Sequence, residues 1–243
     1  MQFGFGSGSL FGINTAANSS PQEFGALQEV NLDFSFSMKE LHGRYQMPLT
    51  IARGGGKLQG KAKTANLNAK LFNELFFGQS FATGNTATVI NEAGSVPAAT
   101  TYTVTVANGA TFVVDLGVKL ALTGLPMVKV ATAPAAGQYS VSSAGVYTFA
   151  AADANAAVLL SYTYTTTGGS TITINNQLMG TTPTFRAVLT ETYEGQAVTV
   201  DLYKCTSSKL TLATKLEDFI IPELDFEAMA NAAGVIGILS LDA

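Results

Sequence analysis

Four basic residues in a short glycine-rich stretch are the first candidates for chemistry in this chain. The segment A-R-G-G-G-K-L-Q-G-K-A-K covers residues 52–63, and from Gly55 it fits the pattern G-x-x-x-x-G-K that opens a phosphate-binding loop. Such a loop needs Ser or Thr after its lysine to hold magnesium, but Ala62 follows Lys61 here. It also needs a helix whose N-terminal amide groups face the phosphate. The match to a nucleotide-binding loop is therefore incomplete.

The same stretch has the two-residue period of a β-strand. Polar and small or apolar residues alternate through Lys57, Leu58, Gln59, Gly60, Lys61, Ala62 and Lys63. We interpret the stretch as a turn at residues 54–56 followed by a strand with one basic face. That face is either solvated or paired with carboxylates of a neighbouring subunit, such as Glu191, Glu194 or Asp201.

The remaining chemistry-bearing residues form no recognisable catalytic set. His42 is the only histidine and Cys205 the only cysteine, so an internal disulfide is impossible. Carboxylates cluster near the C-terminus at Glu217, Asp218, Glu223, Asp225 and Glu227, where a solvated strand face explains them. Tyr162 and Tyr164 share a strand face without interleaved basic residues, which argues against a base-stacking platform. We expect no enzyme activity, no catalytic residue, no cofactor and no metal site.

Composition favours a mainly-β protein of low charge density. Charged residues make up 12% of the chain, about half the usual share, while Thr, Val and Tyr recur in runs. The formal net charge of −4 argues against a protein that grips nucleic acid through its phosphates. The N-terminus has no basic segment typical of a signal peptide, and the apolar run at 232–241 is too short to span a bilayer. We expect synthesis and folding in a reducing cytoplasm, without membrane insertion.

Periodicity divides the first part of the chain into an arm, a strand pair and a helix. Residues 1–26 are rich in Gly, Ser and Asn, and we expect a mobile arm there. Apolar residues alternate with polar ones over residues 30–39, which predicts a strand with one buried and one solvated face, and residues 47–51 continue in a second strand. Leucines four apart predict one helix over residues 66–77, capped by Asn66, ended by Gly78 and packed across a sheet.

The composition changes between residues 84 and 172. Only five charged residues lie there, namely Glu92, Asp115, Lys119, Lys129 and Asp153. Short runs of Thr, Ala and Val are separated by turn residues at intervals of about 8–12 positions, the spacing of a small β-sandwich. We therefore interpret 84–172 as an inserted β-sandwich module within a domain formed by residues 1–83 and 173–243. After this insert, alternation over residues 185–203 predicts a long hairpin.

Several segments together resemble the tail tube (major tail) proteins of tailed bacteriophages. The resemblance to these proteins rests on residues 5–13, 24–48, 52–63, 72–78 and 224–241. It covers most of the chain and is a similarity in the pattern of residue types, without an invariant motif. The insert, at residues 137–165, resembles a β module common in phage structural proteins.

This resemblance implies a fold and an assembly. The fold would be a tail-tube-like β-sandwich or half-barrel with one packed α-helix, and the insert would add a small β-sandwich. Six subunits would close into a ring, and rings would stack into the tube through which DNA leaves the virion. The implied location is the tail of the virion, after synthesis in the host cytoplasm.

The resemblance also implies partners and surfaces. The partners are copies of the chain itself, other tail proteins such as an initiator, a terminator and a sheath, and DNA that passes without specific binding. We expect subunit contacts at Arg53, Lys57, Lys61 and Lys63, and a lumen lined in part by Asp33 and Asp201. The inserted module would lie outside the tube, because it would otherwise block the channel.

Other functions remain open from the sequence. The chain is alternatively another phage tail, baseplate or decoration protein, or a tube protein of a bacterial contractile secretion machine. A third alternative is a β module that binds a cell-surface sugar or protein, although the absence of Trp weighs against sugar binding.

Overall fold

Strands make up most of the chain, as seen in a computed structural model that describes residues 4–16 and 19–242. The chain separates into two compact units, one formed by 1–81 with 172–243 and the other by 82–171, whereas the expected insert was 84–172. The first unit contains β1 (Ser9–Asn14), β2 (Gln22–Glu23), β3 (Leu27–His42), β4 (Pro48–Thr64), helix α1 (Ala69–Phe72), β12 (Phe185–Tyr193), β13 (Gln196–Thr211), β14 (Glu223–Ala228) and β15 (Gly237–Leu241). The second contains β5 (Ser80–Ser95), β6 (Thr103–Thr105), β7 (Phe112–Leu120), β8 (Val128–Lys129), β9 (Gln138–Val141), β10 (Val146–Phe149) and β11 (Ala157–Thr173). The expected mainly-β fold is confirmed.

The first unit is built on one antiparallel sheet. Its strand order is β2-β1-β12-β13-β14-β4-β3, and β15 pairs with β13 beside this path. Alternation along each strand sends apolar side chains to one face. In β14, for example, Leu224 and Phe226 are buried, while Glu223, Asp225 and Glu227 point to the opposite face. We call these the core face and the polar face of the sheet.

The helix expected over 66–77 covers the core face but begins later. Asn68, not Asn66, caps it, because the Asn68 side chain accepts hydrogen bonds from the amides of Lys70 and Leu71. A π-helical turn (Asn73–Phe77) extends α1, and Gly78 ends it in the left-handed conformation at a φ of 58°. Leu71, Phe72 and Leu75 join the buried core.

Residues 64–66 are held by the sheet and cannot join the helix. The Thr64 hydroxyl donates to the Gly25 carbonyl, and the Ala65 amide donates to the Ala26 carbonyl at 3.0 Å. These bonds keep the chain extended beside the start of β3. Leu67, which the leucine pattern placed on the buried stripe, lies outside α1 and is exposed.

Residues 9–14 and 22–23 of the arm expected over 1–26 are instead strands of the sheet, while residues 1–3 and 17–18 of that arm lie outside the described residues. β1 pairs with β12 from Ser9–Thr190 to Asn14–Phe185, and β2 pairs with β1. Leu10 and Phe24 are buried in the core. The composition suggested mobility, but β1 satisfies the backbone groups along one edge of β12, and its apolar positions help to close the core.

A long hairpin of β3 and β4 forms one end of the sheet. The two strands pair from Leu27–Thr64 to His42–Pro48. The turn expected at 54–56 is absent, because β4 continues through these glycines without reversing direction. They form a bulge: Phe36 pairs with Gly56 and Met38 with Arg53, so β4 has one extra residue between the two pairs.

The second hairpin agrees with the sequence. β12 and β13 pair up to Tyr193–Gln196, and the two residues between them form the turn. Glu194 and Gly195 both have positive φ, at 51° and 80°, as a tight hairpin connection requires. The hairpin expected over 185–203 is therefore confirmed.

The second unit consists of two small sheets around a separate core. One sheet has the order β6-β10-β9-β8 and the other β5-β11-β7. Side chains of both sheets share one core, which contains Val96, Val106, Val118, Met127, Tyr139, Tyr147, Phe149, Val158, Leu160 and Tyr162.

A buried carboxylate lies within this second core. The side chain of Asp115 is 3% exposed and accepts hydrogen bonds from the hydroxyls of Tyr139 at 2.8 Å and Tyr147 at 3.0 Å. The Gly117 amide also donates to it, and Lys129 Nζ lies 3.0 Å away. Burial alone raises the pKa of Asp115, but the bonds from Lys129, Gly117 and the tyrosines outweigh it and hold this pKa below its usual value. The carboxylate thus ties both sheets together in its charged form.

Candidate interaction site

Two residues were considered for catalysis, and the structure places His42 at the end of a strand and Cys205 in the core. His42 lies at the end of the β3–β4 hairpin, with Nε2 3.0 Å from Glu40 Oε2, and both side chains are about half exposed. Cys205 is buried on β13, and burial raises the pKa of its thiol to about 12, so it is protonated at neutral pH. Among the residues the structure describes, no three His, Cys, Asp or Glu side chains are grouped to hold a metal ion.

The glycine-lysine stretch is a strand and cannot cradle a phosphate. Residues 55–61 lie in the middle of β4, which pairs with β3 on one side and with β14 on the other from Leu58 onward. The backbone groups of this stretch therefore serve strand pairing. β4 continues past Lys61 to Thr64 and no helix begins directly after Lys61, so the helical amide groups that a phosphate-binding loop requires are missing at this position.

The lysines of β4 are paired within their own chain. Lys61 Nζ lies 2.8 Å from Glu223 Oε1 and 3.9 Å from Asp225 Oδ1. Lys63 Nζ lies 2.5 Å from Glu29 Oε2. The hydrogen bond with Glu223 raises the pKa of Lys61, and the same bond lowers the pKa of Glu223. Both ions are thus charged over the whole neutral range.

The strand register explains this pairing. In successive rows across β3, β4 and β14, Glu29, Lys63 and Glu223 are neighbours, then Asn31, Lys61 and Asp225, then Asp33, Gln59 and Glu227. Directly opposite residues share a face, and opposite charges at such positions attract. The sequence showed the two alternating segments but not the register that brings them together.

The four basic residues expected at subunit contacts therefore do not form one stripe. Lys61 and Lys63 are occupied by carboxylates of the same chain. Lys57 lies beyond the end of β14, is exposed, and makes no ion pair within the described residues. Arg53 is on the other face, because the glycine bulge reverses the alternation, and its guanidinium lies 4.8 Å from the centre of the Phe36 ring.

The two residues expected in the lumen share the polar face with these lysines. Asp33 is exposed in the row of Gln59. Asp201 is also on the polar face, but Arg186 binds it with two hydrogen bonds, one of them 2.7 Å between Nε and Oδ1. The bond to Asp201 raises the pKa of Arg186. The lysines of β4 and the carboxylates of Asp33 and Asp201 therefore lie on the same face of the sheet. The sequence had predicted that the basic residues face a subunit contact and the two carboxylates face the lumen.

An uncovered apolar surface lies on the core-face side of the β3–β4 hairpin. The half of the hairpin nearest its tip contributes no residue to the buried core. The side chains share one face and are each between 51% and 70% exposed: Phe34, Phe36, Met38, Leu49 and Ile51. We call this set the hairpin face. Contiguous exposed apolar side chains of this number are typical of interaction surfaces.

A second apolar surface lies between the base of this hairpin and β15. It is a groove of about 200 Å³ lined by Phe34, Leu58, Val200, Leu202, Ile236, Gly237, Ile238 and Leu239. β15 pairs with β13 along one edge, and no described strand pairs with its other edge. We call this surface the β15 groove.

No model of a known protein family matches the chain, and no curated protein matches it. Among the described residues, no helix is both long and apolar enough to cross a membrane.

An open strand edge lies next to the hairpin face. The sheet ends at β3, whose outer edge is unpaired over its described length of 16 residues. An open edge of this length, next to an exposed apolar face, is a template for pairing with another chain. The alternation over 30–39 was the sequence signal for the hairpin face. It predicted that one face of the strand is buried, but it did not show that the same chain leaves part of this face uncovered.

Proposed function

We propose that this chain is a virion structural protein that polymerises into the tail tube of a bacteriophage. Copies close into rings, six to a ring, and stacked rings form the conduit for DNA ejection. The resemblance of the sequence to tail tube proteins supports this proposal, and the mainly-β fold with one packed helix agrees with it. The single observation that carries it is the uncovered hairpin face beside the open edge of β3.

Self-assembly removes the cost of this surface. A copy that covers the hairpin face transfers its apolar side chains out of water, and a copy that pairs with β3 satisfies the backbone groups of the edge. Repetition of one contact around an axis closes a ring when the rotation permits it. The chain thus acts by association with itself and other tail proteins, and no chemical step is involved.

The polar face suits a surface past which DNA slides. Lys61, Lys63 and Arg186 are each bound to a carboxylate, which reduces the positive charge available to phosphates. Affinity for a duplex depends on the number of phosphates that free cations neutralise. A face with paired cations and an exposed Asp33 would therefore let DNA pass without retaining it.

Electron microscopy of the concentrated protein tests the proposal. We expect hollow tubes of uniform diameter and variable length in negative stain, because a tube protein grows without a fixed end. Short closed particles of fixed length would favour a terminator, baseplate or decoration protein. A monomer at every concentration in analytical ultracentrifugation would contradict the proposal.

A further inference from the structure

The chain leaves two apolar surfaces uncovered at different places on the first unit. The hairpin face runs from Phe34 toward the hairpin tip, and Phe34 also lines the β15 groove. The β15 groove is concave and lies at the hairpin base, with Leu239 on its rim at 59% exposure. The hairpin face is not purely apolar: Arg53, opposite Met38, stacks on Phe36, and Glu40, opposite Ile51, lies 3.0 Å from His42 near the tip.

The exposed area matches one side of a stable contact. Five side chains that are each about half exposed offer on the order of 400 Å² of apolar surface, since a large side chain buries about 150–250 Å² in full. One partner of a standard interface buries about 800 Å², of which just over half is non-polar. The hairpin face alone therefore supplies about the apolar area that one side of such an interface needs.

We infer that the hairpin face of one copy docks into the β15 groove of the next copy. This inference rests on the proposed function and names its contact. A second copy is the occupant because it supplies both missing partners at once: its hairpin covers the groove, and its own groove remains for a third copy. Any other protein would cover one surface and leave the other exposed.

Such a contact is head-to-tail. The hairpin of one copy occupies the groove of the next, whose own hairpin reaches a third copy, so the two copies in each contact contribute different surfaces. Repeated head-to-tail contacts produce closed rings or open filaments. The hairpin of each copy would then lie between the hairpin base and β15 of the next copy.

Cysteine cross-linking between two single variants tests this contact. One variant carries Met38→Cys on the hairpin face and the other carries Leu239→Cys in the groove; both positions are exposed. A short bismaleimide links thiols that lie close together, and buried Cys205 with its raised pKa does not compete. The matched control replaces Met38→Cys by Ser35→Cys, which lies on the other face of the same strand opposite Lys57.

We expect a covalent dimer only in the mixture of Met38→Cys and Leu239→Cys, at least tenfold above the mixture with Ser35→Cys. A chain carrying both Met38→Cys and Leu239→Cys should give a ladder of covalent oligomers that ends at the ring number. A ladder that stops at the dimer, or cross-linking of Met38→Cys with itself, would indicate a two-fold contact and overturn the inference. If tubes form without any of these cross-links, the contact is wrong while the proposed function stands. If the wild-type chain forms no assembly, the proposed function itself fails.

Discussion

The ring of Phe226 fills the space above Gly60 on the core face of the sheet. The two residues are directly opposite each other in β14 and β4, and a Cβ atom added to Gly60 would lie 2.1 Å from the ring. Phe226 also packs edge-on against Phe185, with ring centres 5.8 Å apart. The glycine is therefore part of the core, although its place in the sequence suggested a phosphate-binding loop.

Substitution Gly60→Ala should destabilise the first unit. The ring of Phe226 is buried and cannot move aside without disturbing Phe185, so we expect a loss of about 2 kcal/mol in the free energy of unfolding. Hydrogen exchange of the backbone amides of β4 and β14 in increasing urea measures this for the first unit. Gly55→Ala on the same strand is the matched control, because no atom lies within 4 Å of its added Cβ. Equal losses in both variants would contradict the packing explanation.

The stability of the second unit should fall in acid through Asp115. A carboxyl group whose folded-state pKa is lowered contributes fully above its unfolded pKa of about 4, and this contribution disappears as the pH falls through the folded-state pKa. Asp115→Asn removes charged acceptors for two tyrosine hydroxyls and Lys129, so we expect a loss of about 3 kcal/mol at pH 7. The difference between the variant and the wild type should shrink toward pH 2.

Tyrosine circular dichroism at several pH values measures this effect. Asp153→Asn is the control, since the Asp153 side chain accepts only from the exposed Gly137 amide among its described contacts. It should change stability by less than 1 kcal/mol. A constant difference between Asp115→Asn and wild type from pH 7 to pH 2 would show that the charge of Asp115 does not contribute.

Charge reversal should separate the two parts of the basic stretch. Lys61→Glu with Lys63→Glu places new carboxylates beside Glu223 and Glu29, so we expect a lower melting temperature. Arg53→Glu with Lys57→Glu changes residues that have no ion pair in the described chain, so the melting temperature should stay close to that of wild type. This second pair should nevertheless prevent tube growth, measured by pelleting, if the two residues lie at subunit contacts. Tubes of normal length would remove them from the contact.

Removal of the second unit should leave assembly intact. The strands that enter and leave it run side by side, since the Thr171 hydroxyl donates to the Gly84 carbonyl at 2.8 Å. On the first unit, Asn175 Nδ2 lies 3.1 Å from Gln79 Oε1. We therefore expect a chain that lacks 82–171 and carries a short Gly-Ser linker to fold and form tubes in electron microscopy. A folded monomer that no longer assembles would show that the second unit takes part in the contacts.

The sequence alone determined the mainly-β fold, the hairpin of β12 and β13, and the end of the helix at Gly78. These features depend on local rules: side-chain alternation, turn residues and the left-handed conformation that glycine adopts freely. The same local rules failed where distant segments compete for a residue. The glycines at 54–56 predicted a turn, but in the sheet they form a bulge.

Tertiary structure alone decided which charges are free and which apolar residues remain exposed. Pairing of β4 with β14 brings Glu223 to Lys61 across more than half the chain, and no pattern within either segment contains that register. Alternation marked one face of β3 as apolar, but only the complete fold shows which of these side chains the chain covers. Within a regular stretch of strand the sequence therefore determines which side chains share a face, because alternation is a property of one strand; at residues 54–56 the bulge against β3 moved Arg53 to the other face. The position of its partners is a property of the whole sheet, and so is the uncovered hairpin face.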